Sequence, residues 1–314
     1  MSDEGSSTFH FDSDDGTRIH VYEWLPDGEA TATVQIAHGL AEHAARYTAL
    51  AQALTAAGWA VYAQDHRGHG RSVPPGEEPG DFGEDGFARA VGDVQQLGAV
   101  VAKRHPDVPH VFFGHSGGSF MLQRILWQAP DVVDAAIMSG SNGEPPPIAT
   151  LGRGIARLEQ KRLGPKGRSK LLNTMSFDDF NKKFKPNRTD FDWLSRDPAS
   201  VDAYVDDPLC GFMVTTRTWV VLLDALGDLL AADNLARVRP HLPVFILSGT
   251  DDAVGDMGRG PLRLADSYRA AGLDDVELKL YVGGRHEMLH ETNREEVVAD
   301  VVSWIRRVLE RLGV

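Results

Sequence analysis

The sequence predicts an α/β fold: an open, mostly parallel sheet covered by helices on both faces. Three observations predict it. Short apolar runs alternate with helical patterns along most of the chain. Most of those runs are apolar throughout, as strands buried on both faces are. One of them, Val111–Phe113, leads through Gly114-His115-Ser116-Gly117-Gly118 into a helical stretch.

The elements follow in order. Residues 8–11 and 18–25 read as a hairpin around the turn Asp14-Asp15-Gly16. The acidic cluster at 12–15 has neither the spacing nor the downstream glutamate of a calcium loop. Parallel strands are expected at 32–37, 60–63, 111–113, 135–138, 244–247 and 278–282. Helices are expected at 47–57, closed by Gly58, at 92–103, at 264–271, closed by Gly272, and at 295–312. Residues 143–237 break the rhythm. They open on Pro145-Pro146-Pro147, lack strand signals and carry helical stretches at 155–162 and 218–230. We read them as a cap inserted into a core made of 1–142 and 238–314, placed over the strand ends where ligands bind in such sheets.

Composition bounds the function. The chain has 314 residues, 42% hydrophobic and 25% charged, as in ordinary globular proteins. A net charge of −13 disfavours a nucleic-acid partner. One cysteine, Cys210, excludes an internal disulfide framework and a cysteine-based zinc cluster. The acidic, polar start and the lack of a long apolar run predict neither a signal peptide nor a membrane span, so the expected location is the cytoplasm. Within the cap, Arg153, Arg157, Lys161, Arg162, Lys166, Arg168 and Lys170 crowd together, followed by Lys182, Lys183, Lys185 and Arg188. Two readings stand for this run: a solvated helical face, or a surface that approaches anionic lipids.

The Gly-x-Ser-x-Gly turn carries the chemistry. Gly114 and Gly118 let strand and helix approach closely, and Ser116 sits at the apex of a strained turn. A serine hydroxyl needs a base, and the base needs an orienting group. On such a sheet the partners follow as acid and then histidine, each in a loop after a strand. Asp251 and Asp252 follow the strand at 244–247, and His286 follows the one at 278–282. His286 is the candidate base; position alone leaves the two aspartates open. The oxyanion hole would draw its N–H donors from Gly117 and, in the loop His38-Gly39-Leu40, from Leu40. His286-Glu287-Met288-Leu289-His290 also matches H-E-x-x-H, but that zinc motif works only inside a helix and needs a third ligand. Here the first histidine follows a Gly-Gly pair after a strand, so no metal site is expected.

These residues resemble the monoacylglycerol lipase and lysophospholipase branch of the α/β-hydrolases, which includes some serine aminopeptidases. His38–Tyr47 (HGLAEHAARY) is similar to the branch's H-G-x-G-E-H-x-x-R-Y, with Ala41 where glycine is usual. Asp65–Ser72 (DHRGHGRS) matches D-H-R-G-H-G-x-S, and 249–254 (GTDDAV) fits G-x-x-D-x-V, which favours Asp252. The resemblance implies the α/β-hydrolase fold, a Ser116–Asp252–His286 triad and no cofactor. It also implies a small-molecule ester or lipid substrate. Glu42, Arg46, Tyr47 and His115 are then candidates for lining the alcohol pocket, the alternative for Glu42 and Arg46 being a buried pair. Asp65, His66 and Arg67 read as scaffold. One departure stands out: the branch usually has Gly-His-Ser-Met-Gly-Gly, and this chain has Gly117 in place of methionine. An amidase with the same triad, or a silent hydrolase fold that only binds, are the other readings.

Overall fold

The computed structural model describes residues 5–143 and 148–314, so Pro145–Pro147, on which the cap reading partly rested, lie outside the described residues. Eight strands form one sheet: β1 (Ser7–Asp12), β2 (Arg18–Trp24), β3 (Ala32–Ala37), β4 (Trp59–Gln64), β5 (His110–His115), β6 (Ala135–Ser139), β7 (Val244–Gly249) and β8 (Val276–Tyr281). Their order is β1-β2-β4-β3-β5-β6-β7-β8. β2 runs antiparallel to β1 and β4, and every pair from β4 across to β8 is parallel. This is the mostly parallel sheet that the alternation predicted, in the α/β-hydrolase arrangement that the resemblance implied.

The apolar strand sequences are buried on both faces, because helices cover both. Strand side chains alternate between two cores. Val111, Phe113, Phe245 and Leu247 pack against the helices Thr48–Ala56 and Arg294–Leu312, with Trp304 and Ile305 at the centre. Phe112, Met138, Val244 and Ile246 face the opposite way. There they meet the helices Gly86–Arg104, Gly117–Gln128 and Arg259–Ala270. The last helix follows dipole logic, with Glu295 and Glu296 in its first turn, Arg311 in its last and Gly313 in a left-handed cap.

The differences from the sequence reading lie mostly at boundaries. The second helix starts at Gly86 rather than 92, because Phe87 and Ala90 continue its buried stripe. Residues 44–47 form a separate 3₁₀ turn before the helix at Thr48. β8 was read as a fully buried strand; it is the sheet edge and is only partly buried, and Val282 lies beyond it, 86% exposed. Between β6 and β7 the described residues hold helices and no strand, chiefly Ile148–Leu163, Pro198–Asp206 and Thr216–Leu226.

Candidate active site

The turn after β5 has the geometry its glycines demand. Ser116 adopts φ 48° and ψ −116°, a strained conformation for a residue with a side chain. A Cβ on Gly118 would lie 2.1 Å from the Ala37 carbonyl oxygen, and one on Gly114 2.7 Å from that of Gly118. Only glycine at both positions permits this crossing of helix and strands. The Ser116 N–H donates to the Ser139 carbonyl at 2.9 Å, which ties the apex to β6.

His286 and Asp252 arrive from the loops after β8 and β7. The His286 Nδ1 lies 3.0 Å from Asp252 Oδ1, and both side chains are buried. The other Asp252 oxygen accepts from Ser248 Oγ at 2.9 Å, and the Val254 N–H donates to Oδ1 at 2.9 Å. The loop turns Asp251 elsewhere, its carboxylate accepting from Thr250 Oγ1. Of the two aspartates, Asp252 alone reaches the histidine. Burial pushes the Asp252 carboxyl up, but the His286 charge and hydrogen bond outweigh it and hold it below its ordinary value. Burial likewise opposes protonation of His286. The charge and hydrogen bond of Asp252, with Glu287 and Glu42 behind them, outweigh that effect and raise its pKa.

Ser116 and His286 each rest on a glycine that admits nothing larger. Gly39 abuts Ser116, since a Cβ there would meet the serine Cβ at 3.2 Å. Gly140, at φ +57°, lies under His286, where a Cβ would come within 2.9 Å of Cε1. The Gly39 N–H donates to Glu42 Oε1 at 2.5 Å. It is therefore committed, which leaves Leu40 as the donor this loop can offer. A Cβ on Gly117 would lie 3.2 Å from Leu40 N, so the two expected oxyanion donors come from adjoining backbone. Beside them is a small void of about 10 Å³, bounded by Leu40, Gly117, Met121 and Leu222.

The residues expected to line an alcohol pocket are buried. Glu42, Arg46, Tyr47 and His115 are all at least 95% buried, at 2%, 3%, 3% and 5% exposure. Arg46 donates to Glu42, and Tyr47 Oη donates to Glu42 Oε1 at 2.8 Å. His115 lies behind His286, ring centroids 4.8 Å apart, with Nδ1 3.2 Å from Ser139 Oγ. Glu42 and Arg46 thus form the buried pair, joined by Tyr47, while His115 reaches Ser139 instead. A broad groove of about 960 Å³ does touch Arg46 and Tyr47, but it runs along the helices Thr48–Ala56 and Arg294–Leu312 and is lined by none of Ser116, Asp252 and His286. A cavity of about 270 Å³ lies between Ala41 and the residues Phe177, Tyr204 and Phe212.

Scaffold roles for the Asp-His-Arg stretch agree with the contacts. Asp65 accepts the N–H groups of Ala44 and Arg71, His66 holds His38 through both backbone and ring, and Arg67 ties Asp93 to Asp15. The H-E-x-x-H match is not on an α-helix: His286 is in a loop and Met288–His290 is one 3₁₀ turn. Sequence reasoning missed Trp193, whose ring lies over His286 at 5.2 Å, and Gly140. It had only a weak signal for Gly140, a Ser-Gly pair after a strand, and none for Trp193.

Comparison with known proteins agrees with the fold. Residues 28–293 match the Hydrolase_4 family, described as serine aminopeptidase, S33. A monoacylglycerol lipase from Mycolicibacterium smegmatis is 31% identical over 92% of this chain and 93% of its own length. The monoglyceride lipase of Mus musculus is 29% identical over 97% and 92%. A thermostable carboxyl esterase from Bacillus coagulans superposes with a TM-score of 0.90 at 24% identity, covering 97% of this chain and 99% of that one. The chain is an α/β-hydrolase of the serine aminopeptidase S33 family, on its monoacylglycerol-lipase-like branch, and an ester hydrolase by that membership.

Proposed function

We propose that this enzyme hydrolyses carboxylic esters with an apolar acyl chain, of the monoacylglycerol or lysophospholipid kind, through a Ser116–His286–Asp252 triad. The observation that carries the reading is the 3.0 Å contact between His286 Nδ1 and Asp252, with Ser116 in its elbow. Asp252 occupies Nδ1, which leaves Nε2 for the serine proton. Ser116 attacks the ester carbonyl, His286 takes the proton, and the Leu40 and Gly117 N–H groups hold the oxyanion. The protonated histidine then gives its proton to the leaving alcohol. Water, activated by the same histidine, attacks the acyl-enzyme and frees the acid.

We take residues 143–237 as a cap over this site. Leu151, Leu158, Leu163, Leu171 and Met175 are all exposed there, Leu158 at 68%. Much of the basic run is spent on local partners: Arg157 on Asp224, Arg162 on Glu159, Lys166 on Glu77, Arg168 on Glu78. Contact with a lipid surface would therefore be apolar rather than electrostatic, and only weakly sensitive to salt.

A panel of glyceryl esters, lysophospholipids and aminoacyl amides tests the reading. Turnover of esters, abolished in Ser116→Ala, is expected. Turnover of amides alone would favour the amidase, and loss of neither activity in Ser116→Ala would remove the nucleophile.

A further inference from the structure

Glu287 is the residue that the proposed reaction leaves unexplained. The zinc motif would have made it a base; the fold gives it other partners. It is 5% exposed, and both its oxygens accept from Arg46, Nη1 to Oε1 and Nη2 to Oε2, each at 2.6 Å. Arg46 Nη1 also donates to Glu42 Oε2. The second Glu42 oxygen accepts from the Gly39 N–H at 2.5 Å. An unbroken chain of charge-assisted bonds thus joins the residue after the candidate base to the residue before the oxyanion donor Leu40.

The charges in this chain do not cancel. One guanidinium faces two carboxylates. Burial pushes Glu42 and Glu287 up, but Arg46 outweighs it at each, and both stay ionised below their ordinary value. The groups around the trio do not supply the missing positive charge. His115 and His290 are driven down to about 4 by burial and are neutral at pH 7. Burial pushes Tyr47, Tyr204 and the Cys210 thiol up, so they too carry no charge. His43 is paired with Asp207 at 2.9 Å. On the far side of His286 stands Asp252, also negative.

We propose that Glu287 is a positioning residue for ester hydrolysis, the anchor of a buried Glu42–Arg46–Glu287 trio of net charge −1. Its bonds hold the oxyanion loop against the histidine loop, and its excess charge stabilises the imidazolium that His286 forms. A neutral Arg46–Glu287 pair would suffice as a structural clasp between the two loops. The second acid leaves the trio with an excess negative charge, and Glu287 and Glu42 both favour the protonated form of His286, which must form at the moment Ser116 attacks in a site where screening by water is weak. The inference rests on the triad reading above.

The test is the pH dependence of fluorophosphonate labelling of Ser116, from about pH 5 to about pH 9, across the range where a histidine titrates. In Glu287→Gln the acid limb is expected to move down by about one pH unit, and the plateau rate to fall about tenfold, on Coulombic grounds. Glu287→Asp keeps the charge and is expected to restore the wild-type limb. Glu42→Gln removes the same charge from the other end of the trio and should move the limb in the same direction, which keeps the test open if Glu287→Gln does not fold. A lowered plateau with an unmoved limb in the glutamine variants would make the trio structural only and overturn the proposal. Failure differs in kind if the triad is wrong: wild-type protein would not label, or Ser116→Ala would still label.

Discussion

The Trp193 indole lies over the His286 imidazole, ring centroids 5.2 Å apart and 37° between planes, and the Trp193 carbonyl accepts the His286 backbone N–H. The next residue repeats the link, with the Glu287 N–H donating to the Leu194 carbonyl at 2.8 Å. The helical segment between β6 and β7 is thus stitched to the loop that carries the candidate base. Trp193 also stacks on Phe177, 5.8 Å away, inside a satellite core that includes Phe180, Phe191 and Tyr204. Trp193→Ala should therefore destabilise the protein by about 3 kcal/mol, as truncation of a buried aromatic does. It should also lower kcat/KM, because the histidine loses its cover. Denaturant unfolding and ester turnover measured on one sample check both effects.

The Asp252 contact gives the sharpest test of the triad. Asp252→Asn keeps the shape but loses the charge and can leave the imidazole in the wrong tautomer, so kcat should fall by about 10⁴. Asp251→Asn, whose side chain turns to Thr250, should change kcat less than about twofold, near the scatter of ordinary surface substitutions. A large loss in Asp251→Asn with little loss in Asp252→Asn would mean that the carboxylates were assigned in the wrong order.

Activity and stability should run in opposite directions with pH at this site. The His286 pKa is raised above 6.5 in the folded protein, burial opposing and Asp252 prevailing. The neutral form is the base, so kcat/KM should fall as pH drops through a midpoint above about 6.5. The stabilisation from the protonated pair is complete below about 6.5 and is lost as pH rises through the folded value. A pH–rate profile and thermal melts across the same range measure the two trends.

Two glycines should separate crowding of the base from crowding of the oxyanion hole. In Gly140→Ala the new Cβ would meet the rings of His286 and His115 at about 3 Å, and φ is +57°, so both strain and displacement of the base follow. A fall in kcat of about 10² is expected from misplacing a reacting group by about 1 Å. In Gly117→Ala the Cβ meets Leu40 N at 3.2 Å and the adjoining void takes part of the strain. Its kcat should fall less, about threefold to tenfold, with Tm nearly unchanged. Steady-state kinetics with a short nitrophenyl ester distinguish the two.

The strand runs, the elbow around Ser116 and the order of acid and histidine were legible from the chain, because period, turn chemistry and loop position are short-range properties. Those features determined the sheet and where on it the chemistry belongs. The tertiary structure decided the rest. Asp252 and Asp251 differ by one step along a loop; their position leaves both open, the family resemblance favours Asp252, and the packing of β7 against β8 brings that carboxylate to His286. Glu287 reads in sequence as part of a zinc motif. It becomes the partner of Arg46, 241 positions away, once the two loops are brought together. Glu42 and Tyr47 carry the residue types of a polar pocket, and the fold buries them and sets the Tyr47 hydroxyl against the Glu42 carboxylate. The physical reason is common to all three. A local pattern chooses the shape a segment takes, whereas the partner of a buried charge is chosen by whatever the fold brings within hydrogen-bond reach, since leaving that charge unpaired would cost several kcal/mol.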